Sequence, residues 1–329
     1  MSRILVTRTI PSAGLELLKA AKHRIDLYEE DRVIPKKELL RRIKDADAVL
    51  CLLTDQIDAE ILRAAGPQLK IVANYAVGFD NIDLAAAQKQ GVIVTNTPVP
   101  EMSEAVADHT LALILGLAHR IVEGDRYARA KKYRGWSPDL LVGTDVAQKT
   151  IGIIGLGRIG TAVAERAAKG FRMNCVYHSV HREPSFEKKY GATFASLEDL
   201  LQTADFVTLH VPLLPSTRHL LSSAEFALMK KTAFVINTSR GPVVDEKALL
   251  RALKTKRIAG AALDVFECEP AIDCDLTDKL ELGALENTIL TPHIASATKE
   301  TRVAMSICAA QNILAVLSGK KPLNPAGMK

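Results

Sequence analysis

Residues 151–160 read Ile151-Gly152-Ile153-Ile154-Gly155-Leu156-Gly157-Arg158-Ile159-Gly160. The continuous apolar run Ile151–Ile154 predicts a buried strand, and a helical pattern opens at Arg158. Between them three glycines stand in the G-x-G-x-x-G spacing. The first allows the tight turn, the second lets backbone approach a pyrophosphate, and the third lets helix and strand pack closely. Backbone N–H groups and the helix dipole then face the phosphates. Taken alone, the motif reads equally well as a glycine-rich turn with no ligand. The strand-turn-helix context favours dinucleotide binding.

Outward from this loop, β-rich runs alternate with helical stretches. Downstream, strands are expected at Met173–Tyr177, Phe206–Leu209, Ala233–Ile236, Ala259–Leu263 and Thr288–Leu290. Helices are expected near Arg158–Lys169, Ser196–Thr203, Ala224–Met229 and Glu246–Leu253, and a C-terminal helix over Ala297–Ser318. Upstream, a first series puts strands at Ile4–Thr7, Arg24–Leu27, Ala48–Leu53, Leu69–Ala73 and Val92–Val94. Pro98-Val99-Pro100 punctuates the chain, and one long helix is expected over Glu101–Ala130. The alternation predicts an α/β fold of doubly wound parallel sheets.

The composition agrees with two such domains: 329 residues, 48% apolar and 25% charged. Disorder, collagen-like repeats and a disulfide mini-scaffold do not fit it. Lys+Arg number 43 against 38 Asp+Glu, a net charge of +5, too small to argue for nucleic acid. No apolar run approaches the roughly 20 residues that span a bilayer. The N-terminus carries no signal-peptide pattern, so a cytoplasmic location is expected. Five scattered cysteines (Cys51, Cys175, Cys268, Cys274 and Cys308) read as reduced thiols, with no metal site.

Three strand ends carry candidate chemistry. After Met173–Tyr177, a carboxylate for the ribose would mark NAD about twenty residues beyond the glycine loop. None appears before Glu183; instead come Ser179, His181 and Arg182. A 2′-phosphate would be welcome there, which favours NADP(H), with NAD(H) as the alternative. After Ala233–Ile236 comes Asn237-Thr238-Ser239-Arg240-Gly241. An arginine at such a strand end suits bidentate capture of a carboxylate, although most arginines there are surface residues. Glu269 follows the next strand and His293 follows the last short one. A Glu beside a His would favour imidazolium, a proton donor near neutral pH.

With its glycine loop, Asn-Thr-Ser-Arg-Gly run, Asp264-Val265-Phe266-Glu267-Cys268-Glu269-Pro270 and Thr291-Pro292-His293-Ile294-Ala295-Ser296, the chain resembles the D-isomer-specific 2-hydroxyacid dehydrogenase family over nearly its whole length. The resemblance implies a discontinuous, flavodoxin-like substrate domain (1–99 plus 297–329), a Rossmann coenzyme domain (100–296) and a cleft between them. It implies Arg240, Glu269 and His293 as catalytic residues. His293 would give a proton as hydride arrives, Glu269 would hold it, and Arg240 would orient the substrate. Gly155, Leu156, Gly157, Arg158, Ile159, Gly160, Ser179, Arg182, Val211, Pro212, Thr217, Thr238, Ser239 and Asp264 would line the cofactor. Backbone N–H groups of Val77 and Gly78 would take the substrate carboxylate, beside Arg240 and His293. Read without the family, residues 74–83 are a strand-to-helix turn capped by Asp80 or Asp83. A small anionic 2-oxoacid is the implied substrate, glyoxylate or hydroxypyruvate, and a homodimer through the coenzyme domains is the implied assembly. Phosphite dehydrogenase, a short phosphoglycerate dehydrogenase and a nucleotide-sensing corepressor are the alternatives. Phosphite dehydrogenases carry lysine where this chain has Val77.

Overall fold

The structure, a computed structural model, describes residues 1–269 and 281–327 of the chain. These residues cluster into two compact units, Met1–Met102 with the chain from Ala297 on, and Ser103–Glu269 with residues 281–296.

The first unit is a parallel sheet of β1 (Arg3–Val6), β2 (Arg24–Leu27), β3 (Ala48–Cys51), β4 (Ile71–Asn74) and β5 (Ile93–Thr95). Its order is β2-β1-β3-β4-β5. β3 and β4 are buried at every position, as strands sheathed on both faces require. The edge strand β2 alternates charge with apolar residues and is only half-buried. Asp58 and Asp83 cap the helices Ala59–Ala65 and Leu84–Lys89 with their side chains, so the boundaries follow capping chemistry. The C-terminal helix Lys299–Leu317 packs on helix Ser12–Ala20. A glycine permits that approach: a Cβ on Gly14 would lie 2.3 Å from the Ser306 carbonyl oxygen.

The second unit adds β6 (Thr150–Ile154), β7 (Asn174–His178), β8 (Thr193–Phe194), β9 (Phe206–Leu209), β10 (Phe234–Asn237), β11 (Gly260–Leu263) and β12 (Thr288–Leu290). They form one parallel sheet in the order β12-β11-β10-β9-β6-β7-β8. From β6 the chain builds outward to β8, then returns to β9 on the other side of β6. Open α/β sheets bind ligands at such a reversal, beyond the carboxyl ends of the strands. The glycine loop leaves β6 there. Both units are the doubly wound parallel α/β folds expected from the sequence.

Three expectations fail. The long helix over Glu101–Ala130 is two helices, Pro100–Ala118 and Ile121–Arg129, bent by 62°. Arg120 adopts a left-handed backbone (φ 53°) between them. The Ala118 carbonyl is taken by the Thr144 N–H at 2.8 Å, an approach that only Gly143 allows, since a Cβ there would sit 2.1 Å from that oxygen. Helical periodicity cannot register this tertiary capture of a helix end. The helix Pro184–Tyr190 and the two-residue strand β8 are also unforeseen, being too short for a periodic signal. Finally, Cys51, Cys175 and Cys308 are free, but Cys268 is disulfide-bonded, against the expectation of reduced thiols throughout. Cys268 stands half-buried in an irregular turn, open to a second sulfur, whereas Cys51 and Cys175 are buried among core side chains. Cys274 lies outside the described residues. No single helix among them is long and apolar enough to cross a membrane.

Candidate active site

The glycine loop has three different surroundings. Gly155 has φ +98°, and a Cβ on it would lie 2.8 Å from the His210 carbonyl carbon at the end of β9. A Cβ on Gly160 would lie 2.2 Å from the Gly155 carbonyl oxygen. A Cβ on Gly157 would meet nothing within 4 Å. Gly157 is also the N-cap of helix Arg158–Glu165 and supplies no capping side chain. The open face of the loop therefore lies at an uncapped, electropositive helix start, which fits a pyrophosphate. Leu156 and Ile159 pack partly buried against the core behind it. Gly157→Ala should leave the melting temperature within about 2 °C, as surface substitutions do. It should weaken binding of NADPH at least about tenfold, because the added methyl occupies the approach to the phosphates. Calorimetry on the variant checks both.

At the end of β7 the basic turn is not free of acid. Arg182 forms a two-pronged ion pair with Glu187, with Nε–Oε1 and Nη2–Oε2 both 2.8 Å. Arg182 holds the Glu187 carboxyl down at about 2, and the Tyr177 hydroxyl donates to the same group. The carboxylate comes from the unforeseen helix Pro184–Tyr190, beyond the roughly twenty residues at which a ribose-binding carboxylate is expected. Ser179 is half-buried and Val180 is exposed at the turn itself.

The loops after β9 and β10 are folded by their own polar groups. Val211 stands against Gly155, with its Cγ1 2.9 Å from where a Cβ would be. The Thr217 hydroxyl donates to the Pro212 carbonyl and accepts from the Leu214 N–H. Burial pushes the neighbouring His210 imidazole down to about 3, so that wall of the loop is neutral. After β10, the Asn237 Oδ1 accepts from the Ser239 N–H and hydroxyl, and its Nδ2 donates to the Arg240 carbonyl at 2.9 Å. This Asx-turn delivers Arg240 in extended backbone. Thr238 is buried, its hydroxyl 3.1 Å from that of Thr110.

The turn after β12 carries His293. Its Nδ1 lies 2.6 Å from Glu269 Oε2. With that nitrogen donating to a carboxylate, Nε2 is the atom left to give up a proton. His293 is left-handed (φ 55°), an uncommon backbone for a residue with a side chain. Asp264, wholly buried at the end of β11, fixes it. Asp264 Oδ1 accepts from the Thr291 hydroxyl and the Ile294 N–H, Oδ2 accepts from the Ala295 N–H, and the Asp264 carbonyl accepts from the His293 N–H at 2.8 Å. His109 Nε2 lies 3.5 Å from the same carboxylate and 3.2 Å from the Thr291 hydroxyl. Burial alone would raise the Asp264 carboxyl; the hydrogen bonds from His109, Thr291, Ile294 and Ala295 outweigh it and hold the group below its ordinary range. Arg240, Glu269 and His293 thus follow three adjacent strands, β10, β11 and β12. His109, Thr291 and Asn237 were not singled out in the sequence, because each acts through another residue. Among the described residues no group of three His, Cys, Asp or Glu could hold a metal.

In the first unit, the loop after β4 is held by its carbonyls. Thr97 N–H takes the Ala76 carbonyl at 2.9 Å, Asn96 Nδ2 takes that of Val77 at 2.7 Å, and Asn74 Nδ2 takes that of Gly78 at 2.8 Å. Among the described residues, the N–H groups of Val77 and Gly78 have no acceptor. Two half-buried, unpaired donors are what a carboxylate needs. Asp83 is the cap of the following helix, as the plainer reading of this loop had it.

Comparison with known proteins identifies the chain's relatives. The profile of the D-isomer specific 2-hydroxyacid dehydrogenase NAD binding domain matches residues 111–295. Glyoxylate reductases of Korarchaeum cryptofilum and Thermococcus kodakarensis are 48% and 45% identical, over 98% and 97% of this chain and 95% and 94% of theirs. Among solved structures, a Thermus thermophilus protein superposes with a TM-score of 0.90 at 43% identity, over 98% of this chain and 99% of that one. The D-lactate dehydrogenase of Aquifex aeolicus, complexed with NAD and lactic acid, superposes with a TM-score of 0.85 at 29% identity, over 99% and 98%. A profile match across more than half the chain, with relatives this similar over nearly full length, places it among the D-isomer-specific 2-hydroxyacid dehydrogenases, a family of nicotinamide-dependent oxidoreductases.

Proposed function

We propose that the protein reduces glyoxylate to glycolate or hydroxypyruvate to D-glycerate, with NADPH as the preferred reductant. The observation that carries this reading is the His293–Glu269 pair, held in a strained turn by the buried Asp264. A bound reduced nicotinamide supplies hydride to the carbonyl carbon. The chain's own residues do the rest. Val77 and Gly78 N–H groups bind the carboxylate. The Arg240 guanidinium orients the substrate and draws charge onto the carbonyl oxygen. His293 Nε2 delivers the proton to that oxygen, and Glu269 stabilises the charged ring before transfer. The loop Gly155–Gly160 cradles the pyrophosphate, with Val211, Pro212, Thr217, Thr238 and Ser239 lining the adjacent strand ends.

The preference for NADPH rests on Ser179 and Arg182. Arg182 is engaged by Glu187, but its side chain is 63% exposed. Its Nε and Nη2 are committed to Glu187, which leaves Nη1 for a 2′-phosphate. Steady-state turnover with glyoxylate, hydroxypyruvate, pyruvate and phosphite, each with NADPH and NADH, tests the reading. The expected result is highest kcat/KM for the first two with NADPH and none for phosphite, since Val77 supplies no cation. Turnover of phosphite alone would overturn it.

We further propose a homodimer built on the second unit. Helix Ile121–Arg129 has no buried residue, and Ile121, Tyr133, Trp136 and Val142 are all exposed. Trp136 alone is 83% exposed, and several large apolar side chains left exposed on one stretch of chain suit an association surface. Trp136→Glu should shift the sedimentation of the protein from dimer toward monomer.

A further inference from the structure

The carboxylate loop after β4 rests on a chain of buried polar side chains. Asn74 and Asn81, both nearly inaccessible, face each other with Asn74 Nδ2 donating to Asn81 Oδ1 at 3.0 Å. Asn74 Nδ2 also donates to the Gly78 carbonyl, and Asn81 Nδ2 donates to the carbonyls of Leu52 and Asp55 at 3.1 and 3.0 Å. The Asp55 carboxylate in turn accepts from the Thr7 hydroxyl and the Leu52 N–H. The chain thus links the carboxyl ends of β1, β3 and β4 to one carbonyl of the loop.

Burying four polar side chains contributes little net stability compared with apolar packing, because each hydrogen bond replaces one made to water. What they do fix is direction. A trans peptide is planar, so its N–H points opposite to its C=O. With the carbonyls of Ala76, Val77 and Gly78 all bound, the N–H groups of Val77, Gly78 and Phe79 must point the other way. None of those three N–H groups has an acceptor among the described residues.

We propose that Asn74 and Asn81 are positioning residues for carboxylate recognition: they fix the Gly78–Phe79 peptide, while Asn96 and the Thr97 N–H fix the two peptides before it, so that the loop's N–H groups stand preset for the substrate's carboxylate. The proposal rests on the reading that Val77 and Gly78 bind that group. Neither asparagine touches substrate; they act through the backbone of the loop. Binding then costs no loop ordering, which lowers KM without altering the groups that deliver hydride and proton.

The test is steady-state kinetics of Asn74→Leu, which keeps the branched shape and removes the donor, beside Asn96→Ala, which frees the Val77 carbonyl at a half-buried position. Expected for Asn74→Leu is a KM for glyoxylate raised about tenfold or more, with kcat changed less than about threefold and KM for NADPH unchanged. Asn96→Ala should move the same way, since it frees the peptide that bears the Gly78 N–H, and it decides the matter if Asn74→Leu fails to fold. A merely structural role would lower kcat and cofactor affinity together, or change nothing but the melting temperature. Unchanged KM for glyoxylate in folded variants of an active enzyme overturns the positioning role alone. An inactive wild-type protein overturns the proposed function on which it rests.

Discussion

Replacing His293 with Ala is expected to lower kcat for glyoxylate by about 10²- to 10⁴-fold, the usual contribution of a positioned general acid. The dissociation constant of NADPH should stay within about twofold of wild type, since that binding belongs to the glycine loop. The expectation follows from geometry. Nδ1 is committed to Glu269 at 2.6 Å, which leaves Nε2 to deliver the proton. The left-handed backbone at φ 55° aims the ring, and the Asp264 carboxylate braces the two N–H groups that follow. Full activity in the variant would remove His293 from the reaction.

The second large effect is expected at Asp264. Asp264→Ala strips acceptors from the Thr291 hydroxyl and the N–H groups of Ile294 and Ala295. Leaving a buried donor unpaired costs about 1–3 kcal/mol; the Ala295 N–H is buried and the other two donors are only partly so, and a loss of roughly 2–4 kcal/mol in all is expected. In a unit of this size that is a fall of about 5–15 °C in melting temperature. Activity should fall as well, because the turn that aims His293 loses its brace. Asp264 has a depressed folded pKa, so its stabilisation is complete above the unfolded value near 3.9 and fades as pH falls through the lower folded value. The stability difference between wild type and variant should therefore be constant from pH 5 to 7 and shrink below about pH 4. Calorimetric melts across that range check the sign. A difference that grew on acidification would contradict the assignment. Both Asp264 carboxylate oxygens are engaged within the turn, so the structure gives this residue a bracing role, distinct from the cofactor contact expected for it in the sequence.

The sequence carries the fold legibly wherever a strand is a continuous apolar run and a helix begins at an acidic cap. Ala48–Cys51, Phe206–Leu209 and the helices after Asp58 and Asp83 are examples. It is silent where tertiary contacts decide. The break at Arg120 depends on a distant Gly143 reaching the Ala118 carbonyl, and no local window contains both. The ribose edge shows the same limit. The residues 179–182 read as basic, yet the chain brings Glu187 back onto Arg182 through a helix too short to predict. The residues proposed to react are legible because a proton donor and its carboxylate must be of fixed types at strand ends. Their supports are not: His109, Asn237, Asn74 and Asn81 are ordinary polar residues whose roles exist only once the strands are side by side.

Conversion of a 2-oxoacid into its D-2-hydroxyacid is tested most directly by the product itself. The purified protein is incubated with hydroxypyruvate and NADPH, and the product is resolved on a chiral column against NADPH consumed. One D-glycerate for each NADPH oxidised is the expected result. L-Glycerate as the product, or no oxidation of NADPH or NADH with any 2-oxoacid, would contradict it.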